Sequence, residues 1–178
     1  QQIAIQVAAY DSQQPLIIDP ILSFSTYFGG PAIDEINDIA IDGNGAIYVT
    51  GASSSVALAG MIPPLPSIGP GGQLDVFVAK INASSKTLAY LTYVGGSGND
   101  IGKSIAVDNL DNAYVTGSAD STSATSFPSM SIYGGGLTDA FVFRLNAVGN
   151  ALYYSTFKDL AGNSDDVGVA IAVDNLQQ

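Results

Sequence analysis

The sequence predicts an all-β protein built from a repeated four-stranded antiparallel unit. Two observations carry this. The first is a strand–turn–strand stretch that returns at fixed spacing. Asp38-Ile39-Ala40-Ile41-Asp42-Gly43-Asn44-Gly45-Ala46-Ile47-Tyr48-Val49-Thr50-Gly51 is echoed from Ser104 to Gly117, so that Asp42 and Asp108, Tyr48 and Tyr114, and Gly51 and Gly117 are each 66 positions apart. A third copy opens at Ala170-Ile171-Ala172-Val173-Asp174, with Asp174 again 66 beyond Asp108. The second observation is composition. Twenty glycines and eight prolines spread over 178 residues suit many short strands joined by turns. Four short strands and one long loop, repeated, are the pattern of a β-propeller blade. A β-sandwich has turns at similar intervals but gives no reason for so faithful a self-match.

Taken in order, Ile3, Ile5 and Val7 alternate with polar or small residues and read as a strand. Asp11 to Pro15 is a turn, and Leu16 to Pro20 a short extended piece, since a residue before proline is pushed away from helix. Residues 1–20 are thus expected to form a leading β segment and 21–178 the propeller repeats. Ile21 to Phe28 alternates and ends at Gly29-Gly30-Pro31. Its counterparts are Leu88 to Gly96 and Leu152 to Phe157. Asp75-Val76-Phe77-Val78-Ala79-Lys80-Ile81-Asn82 matches Asp139-Ala140-Phe141-Val142-Phe143-Arg144-Leu145-Asn146. Ahead of these lie the long loops Ala52–Gln73 and Ser118–Thr138. The repeat units fall at about 21–87, 88–151 and a partial 152–178, giving two near-complete blades and partial flanking ones. The strands around Ile39–Asp42 and Ala46–Thr50 are nearly all small or apolar, as expected of strands covered on both faces.

Charge and chemistry narrow the function mainly by exclusion. The net charge is −11, from 16 acids and 5 bases. Fifteen acids are Asp and one, Glu35, is Glu. Asp favours turns because its short side chain bonds nearby amides. So acidic a chain lacks the basic face that nucleic acid needs and is repelled by anionic membranes. No apolar run reaches the ~20 residues of a membrane span, so insertion is not expected. With no Cys and no His, disulfides, thiolate nucleophiles, His acid–base catalysis and the usual zinc sites are excluded.

Three candidate chemistries remain. Calcium, which takes 6–8 oxygen ligands, could use Asp34, Asp38, Asp42, Asp100, Asp108, Asp166 and Asp174, which recur at the hairpins. No spacing matches an EF-hand or a nonapeptide calcium repeat, and capping of turns is the simpler role. Carboxylate pairs such as Asp165-Asp166, or Glu35 with Asp34 or Asp38, could serve glycoside hydrolysis. Neighbouring strand residues point to opposite faces, however, and there is no Trp to stack on a sugar. Asn82-Ala83-Ser84 is an N-glycosylation sequon just past a strand. No catalytic residue set is expected, and no cofactor beyond calcium.

Several motifs resemble the bacterial β-propeller repeat called SBBP. They are Ser25-Thr26-Tyr27-Phe28-Gly29-Gly30 with Asp34, then Ile39-Ala40-Ile41-Asp42, Gly43 to Gly51, and Asp75 to Ile81. The second copy gives Leu91 to Gly96 with Asp100, Ile105 to Asp108 and Ala113 to Gly117. Asn109-Leu110-Asp111-Asn112 departs from the glycine turn of the first copy, though Asn and Asp also enter left-handed backbone. The resemblance implies a secreted or cell-surface structural protein with no catalytic residues to carry over. Tyr10-Asp11, with Pro15 to Pro20, likewise resembles the end of the β-rich domain that often precedes such repeats, which implies that 1–20 are the end of a preceding domain. Propellers close with 4–8 blades. The expected partners are therefore other protein chains or further parts of the same polypeptide, including head-to-tail self-assembly. The expected function is a non-enzymatic extracellular or cell-surface module for assembly or adhesion. The alternatives are a carbohydrate- or peptide-binding module using the long loops, or a non-catalytic part of a larger secreted enzyme.

Overall fold

The computed structural model describes residues 25–55, 73–120, 136–158 and 164–174. The expected strands within 1–20 and most of both long loops lie outside them. The described residues form two antiparallel four-stranded sheets. The first is β1 (Asp34–Ile41), β2 (Ile47–Ser53), β3 (Asp75–Ile81) and β4 (Leu88–Val94), hydrogen-bonded in that order. The second is β5 (Asp100–Val107), β6 (Ala113–Ala119), β7 (Asp139–Leu145) and β8 (Leu152–Lys158), in the same order. Each sheet is one blade, and the two do not close into a ring.

Local chemistry explains why the repeat folds alike twice. Asp42 opens the first hairpin turn, and its Oδ1 accepts the amides of Asn44 and Ala46, both at 2.9 Å. Asp108 does the same for Leu110 and Asn112, again at 2.9 Å. The fourth turn residue needs left-handed backbone. Gly45 supplies it at φ +81° and Asp111 at φ +66°. β1 and β5 each bulge at one residue, Asn37 and Lys103. The bulge pushes a carbonyl across the ladder, so that a Cβ at Gly51 or Gly117 would collide with the carbonyl oxygen of Glu35 or Ile101. The Gly-Gly-x-x-x-Asp signature is also structural: Asp34 Oδ2 accepts the Gly30 amide at 2.7 Å, and Asp100 Oδ2 the Gly96 amide at 2.6 Å.

Each blade has two apolar faces. Register puts Ile36, Ile39, Ile41, Val49, Phe77, Ala79, Leu91 and Tyr93 on the front of blade 1. Tyr48, Thr50, Val76, Val78, Tyr90 and Val94 line its back. The main core joins that back face to the front face of blade 2, where Ile105, Val115, Phe141, Phe143, Leu145 and Phe157 are buried. Full burial of such side chains is worth roughly 1.5–3 kcal/mol each, so this core holds the blades together.

Two expectations need correction. Residues 25–28 were expected in a strand, yet they have no ladder partner; Phe28 instead lies on the front face of blade 1, its ring 5.4 Å from Phe77. β1 was expected to be covered on both faces, but Ile36, Ile39 and Ile41 are exposed, because among the described residues no blade stands in front of it. The described residues of the third copy have no ladder either. Its residues 166–171 nonetheless dock on blade 2 as β5 docks on blade 1.

Candidate functional site

The most elaborate side-chain chemistry among the described residues lies at the junction between blades. It starts at the first strands. Asp38 Oδ2 accepts both Ser104 Oγ (2.7 Å) and the Ile105 amide (2.9 Å), and Asn37 Nδ2 donates to the Gly102 carbonyl (2.8 Å). The next junction repeats the first device with a different residue. Ser104 stands 66 positions after Asp38, and its Oγ accepts the amide of Ile171, 66 after Ile105, at 3.3 Å. Backbone bonds reinforce both junctions: Asp100 N to Leu74 O at 2.7 Å in the first, Asp166 N to Thr138 O and Gly168 N to Gly117 O in the second.

Glycine sets how closely the first strands approach. Gly102 is buried, and a Cβ there would lie 2.5 Å from Thr50 Oγ1, 3.0 Å from Val76 Cγ1 and 3.1 Å from the Gly51 carbonyl oxygen. Gly168 faces Thr116 in the same way, and a Cβ there would collide with its hydroxyl. Thr50 and Thr116 turn their hydroxyls to the Phe77 and Phe141 carbonyls, at 2.9 and 2.7 Å, which fixes them in place.

At the hairpin end of the junction, Lys80 is the latch. Its Nζ is 2.9 Å from Asp111 of the next blade and 3.6 Å from Asp42 of its own, and it lies over the Tyr48 ring. Burial alone would raise the Asp42 pKa. Hydrogen bonds from Ala46, Asn44 and Tyr48 and the charge of Lys80 outweigh it, holding the carboxyl below the usual aspartate range. Asp108 behaves alike: burial would raise its pKa, but bonds from Asn112, Leu110 and Tyr114 outweigh burial and hold the carboxyl below the usual aspartate range. Burial and the nearby carboxylates push the Tyr48 and Tyr90 phenols well above their ordinary value, so both stay neutral. In blade 2 the latch position is Arg144, sandwiched by Tyr114 and Tyr153 and 3.4 Å from Asp108. Its surroundings are open, forming a cleft of ≈ 820 Å³ lined also by Tyr154, Ile171 and Asp174.

The candidate calcium ligands are not brought together. Asp34 is bonded by Ser53, Gly30 and Ser55, which outweigh burial and lower its pKa. Asp38 bridges blades, Asp42 and Asp108 cap hairpins, and Asp100 caps the Gly95-Gly96 turn. Asp166 sits at the second junction and Asp174 at the cleft. Among the described residues, no three acidic side chains are grouped to hold a metal ion. The carboxylates of Asp34, Asp38, Asp42, Asp100 and Asp108 are engaged by amides or hydroxyls instead. Asn82 lies at the β3–β4 turn, its amide and carbonyl bonded to Thr87 and Lys86 and its side chain 3.4 Å from Thr87 Oγ1. Asp165 Oδ1 accepts the Leu137 amide at 2.6 Å, a loop-fastening role. The residues that sequence reasoning missed are Lys80, Asn37, Ser104 and Gly102. Only the Asp38–Ser104 contact carried a signal, since those two residues stand one 66-residue repeat apart.

The family model of the SBBP beta-propeller repeat matches residues 24–56 and 89–123. Among curated proteins, none matches the chain at a significant level. No helix among the described residues is long and apolar enough to cross a membrane.

Proposed function

Because the chain carries two SBBP-type β-propeller repeats, we propose that it is a non-enzymatic structural protein of the cell exterior or cell surface, whose stacked blades mediate assembly or adhesion. The observation that supports this most is the repeated junction. The contact of Asp38 with Ile105 recurs as Ser104 with Ile171, so one blade face is built to receive the next. Faces of the same kind stand uncovered beside it, with Ile36, Ile39 and Ile41 on one blade and Tyr154 on the other. The non-enzymatic reading draws support from the absence of His and Cys and from carboxylates spent on turns and junctions. The location rests on the repeat type.

Sedimentation of the natural protein, paired with its denatured mass, tests this reading. Either the denatured mass exceeds that of these 178 residues, or the native particle is larger than one chain. A monomeric particle with the mass of 178 residues alone would sink the assembly reading.

A further inference from the structure

The front face of β1 presents a stripe of three isoleucines, Ile36, Ile39 and Ile41, exposed by 50%, 57% and 65%. Their counterparts in blade 2 are Gly102, Ile105 and Val107. Ile105 is only 4% exposed, because the back of blade 1 covers it. The rest of the blade 1 front face is buried, with Phe28 packed on Phe77. Phe28 stands 66 residues before Val94, the last residue of β4, which takes part in the core between blades 1 and 2. Residues 25–28 therefore occupy the place of a fourth strand in front of blade 1. Tyr27, fully exposed, is the counterpart of Tyr93, which is buried within a complete sheet.

Position 36 differs from its two counterparts in one decisive respect. Gly102 and Gly168 both abut a threonine hydroxyl that would meet any Cβ. Ile36 carries four side-chain carbons at that point. A blade like the two in this chain, with Thr at the position of Thr50 or Thr116, cannot come as close to β1 as blade 1 comes to β5. The smaller its residues there, the closer a blade can dock.

Taking up the assembly reading above, we propose that the β1 stripe docks a further blade, one whose fourth strand is the 25–28 segment and which carries small residues at the positions of Thr50 and Val76. Ile36 excludes copies of the chain's own blades from this face. The face is thus a selective interface, and head-to-tail stacking of identical blades onto it is blocked.

The chain has no cysteine, so Ile39→Cys provides a single reporter thiol. A second copy of residues 34–87 is inserted between Ile21 and Leu22 of the full chain, so that 22–28 can complete it. The copy is made once unaltered and once with Thr50→Gly and Val76→Ala. A third version pairs the unaltered copy with Ile36→Gly in the original β1. Maleimide labelling of the thiol is the readout. The altered copy and the Ile36→Gly version should each slow labelling at least tenfold, and the unaltered copy should leave it as fast as in the chain without an insert. Should the altered copy fail to fold, the Ile36→Gly arm still decides. Slow labelling with the unaltered copy facing Ile36 would overturn the selectivity and leave the assembly reading standing. Fast labelling in all three would overturn both.

Discussion

β1 and β5 hold the same place in successive repeats, bulge at the same residue and pair with their neighbours in the same register. Yet one is largely exposed and the other largely buried. Their sequences share Asp34/Asp100, Ile39/Ile105 and Ala40/Ala106 and differ around the bulge, Ile36-Asn37-Asp38 against Gly102-Lys103-Ser104. The contrast separates what a strand owes to its own sheet from what it owes to the next blade. Hairpin capping, the bulge and the ladder are complete within each blade. Burial of the front face, and the glycine that permits it, belong to the junction.

The sharpest way to break the comparison is to exchange the residue that distinguishes the strands. Gly102→Ile places four carbons against Thr50, Val76 and the Gly51 carbonyl, where even a Cβ is too close. Overpacking against backbone should destabilise the chain by about 3 kcal/mol or more. The reverse change, Ile36→Gly, meets no such packing and should cost under about 1 kcal/mol, from strand propensity and chain entropy. Urea denaturation of both variants measures the difference. Equal effects would mean that the blades adjust their spacing freely and that Gly102 is not a contact determinant.

A gentler form of the comparison uses an identical residue in the two settings. Ile105→Ala removes a buried side chain from the core between blades and should cost about 2–4 kcal/mol. Ile39→Ala, one repeat earlier, removes an exposed one and should stay within about 0.5 kcal/mol. If both cost the same in thermal or urea unfolding of the isolated chain, Ile39 is covered in solution and the exposed stripe is not free.

The difference between these two isoleucines also marks how far the sequence could be read. Strand identity, hairpins and the four-stranded unit were legible, because each follows from neighbours in sequence: alternation in Val76 to Ile81, the Asp42 turn, the double glycine before Asp34. The Asp–Asn turn at 108–112 was legible as a left-handed turn for the same reason. What covers a strand was not legible, since Ile39-Ala40-Ile41 and Ile105-Ala106-Val107 read alike as apolar strand and the difference in burial comes from a separate blade. The acids posed a similar problem. Asp38 and Asp42 sit four residues apart and resemble a ligand set, but the bulge at Asn37 and the register send one across the junction and the other into the hairpin. Residue type and spacing could not reveal that amides and hydroxyls already occupied those oxygens.

The smallest expected effect concerns the one turn position where the hairpins differ, Gly45 against Asp111. A side chain in left-handed backbone carries a cost of up to about 1 kcal/mol, less for Asp than for most residues. Asp111 recovers some of it through Lys80, a partly exposed ion pair of the kind that contributes about 0.2–1 kcal/mol. Asp111→Gly removes both terms, so its net effect should be within about 0.5 kcal/mol, and Lys80 still has Asp42 nearby. The change should instead appear in salt dependence. The parent should lose slightly more stability than the variant between low salt and about 1 M salt, where the Debye length falls to about 3 Å. Gly45→Asp incurs the backbone cost with no such return, because the closest side-chain contact at Gly45 is Ala83 and not a base. It should destabilise by up to about 1 kcal/mol. If Gly45→Asp proved as neutral as Asp111→Gly, the turn would tolerate the side chain for local reasons. The Asp111 carboxylate would then owe nothing to the blade it reaches.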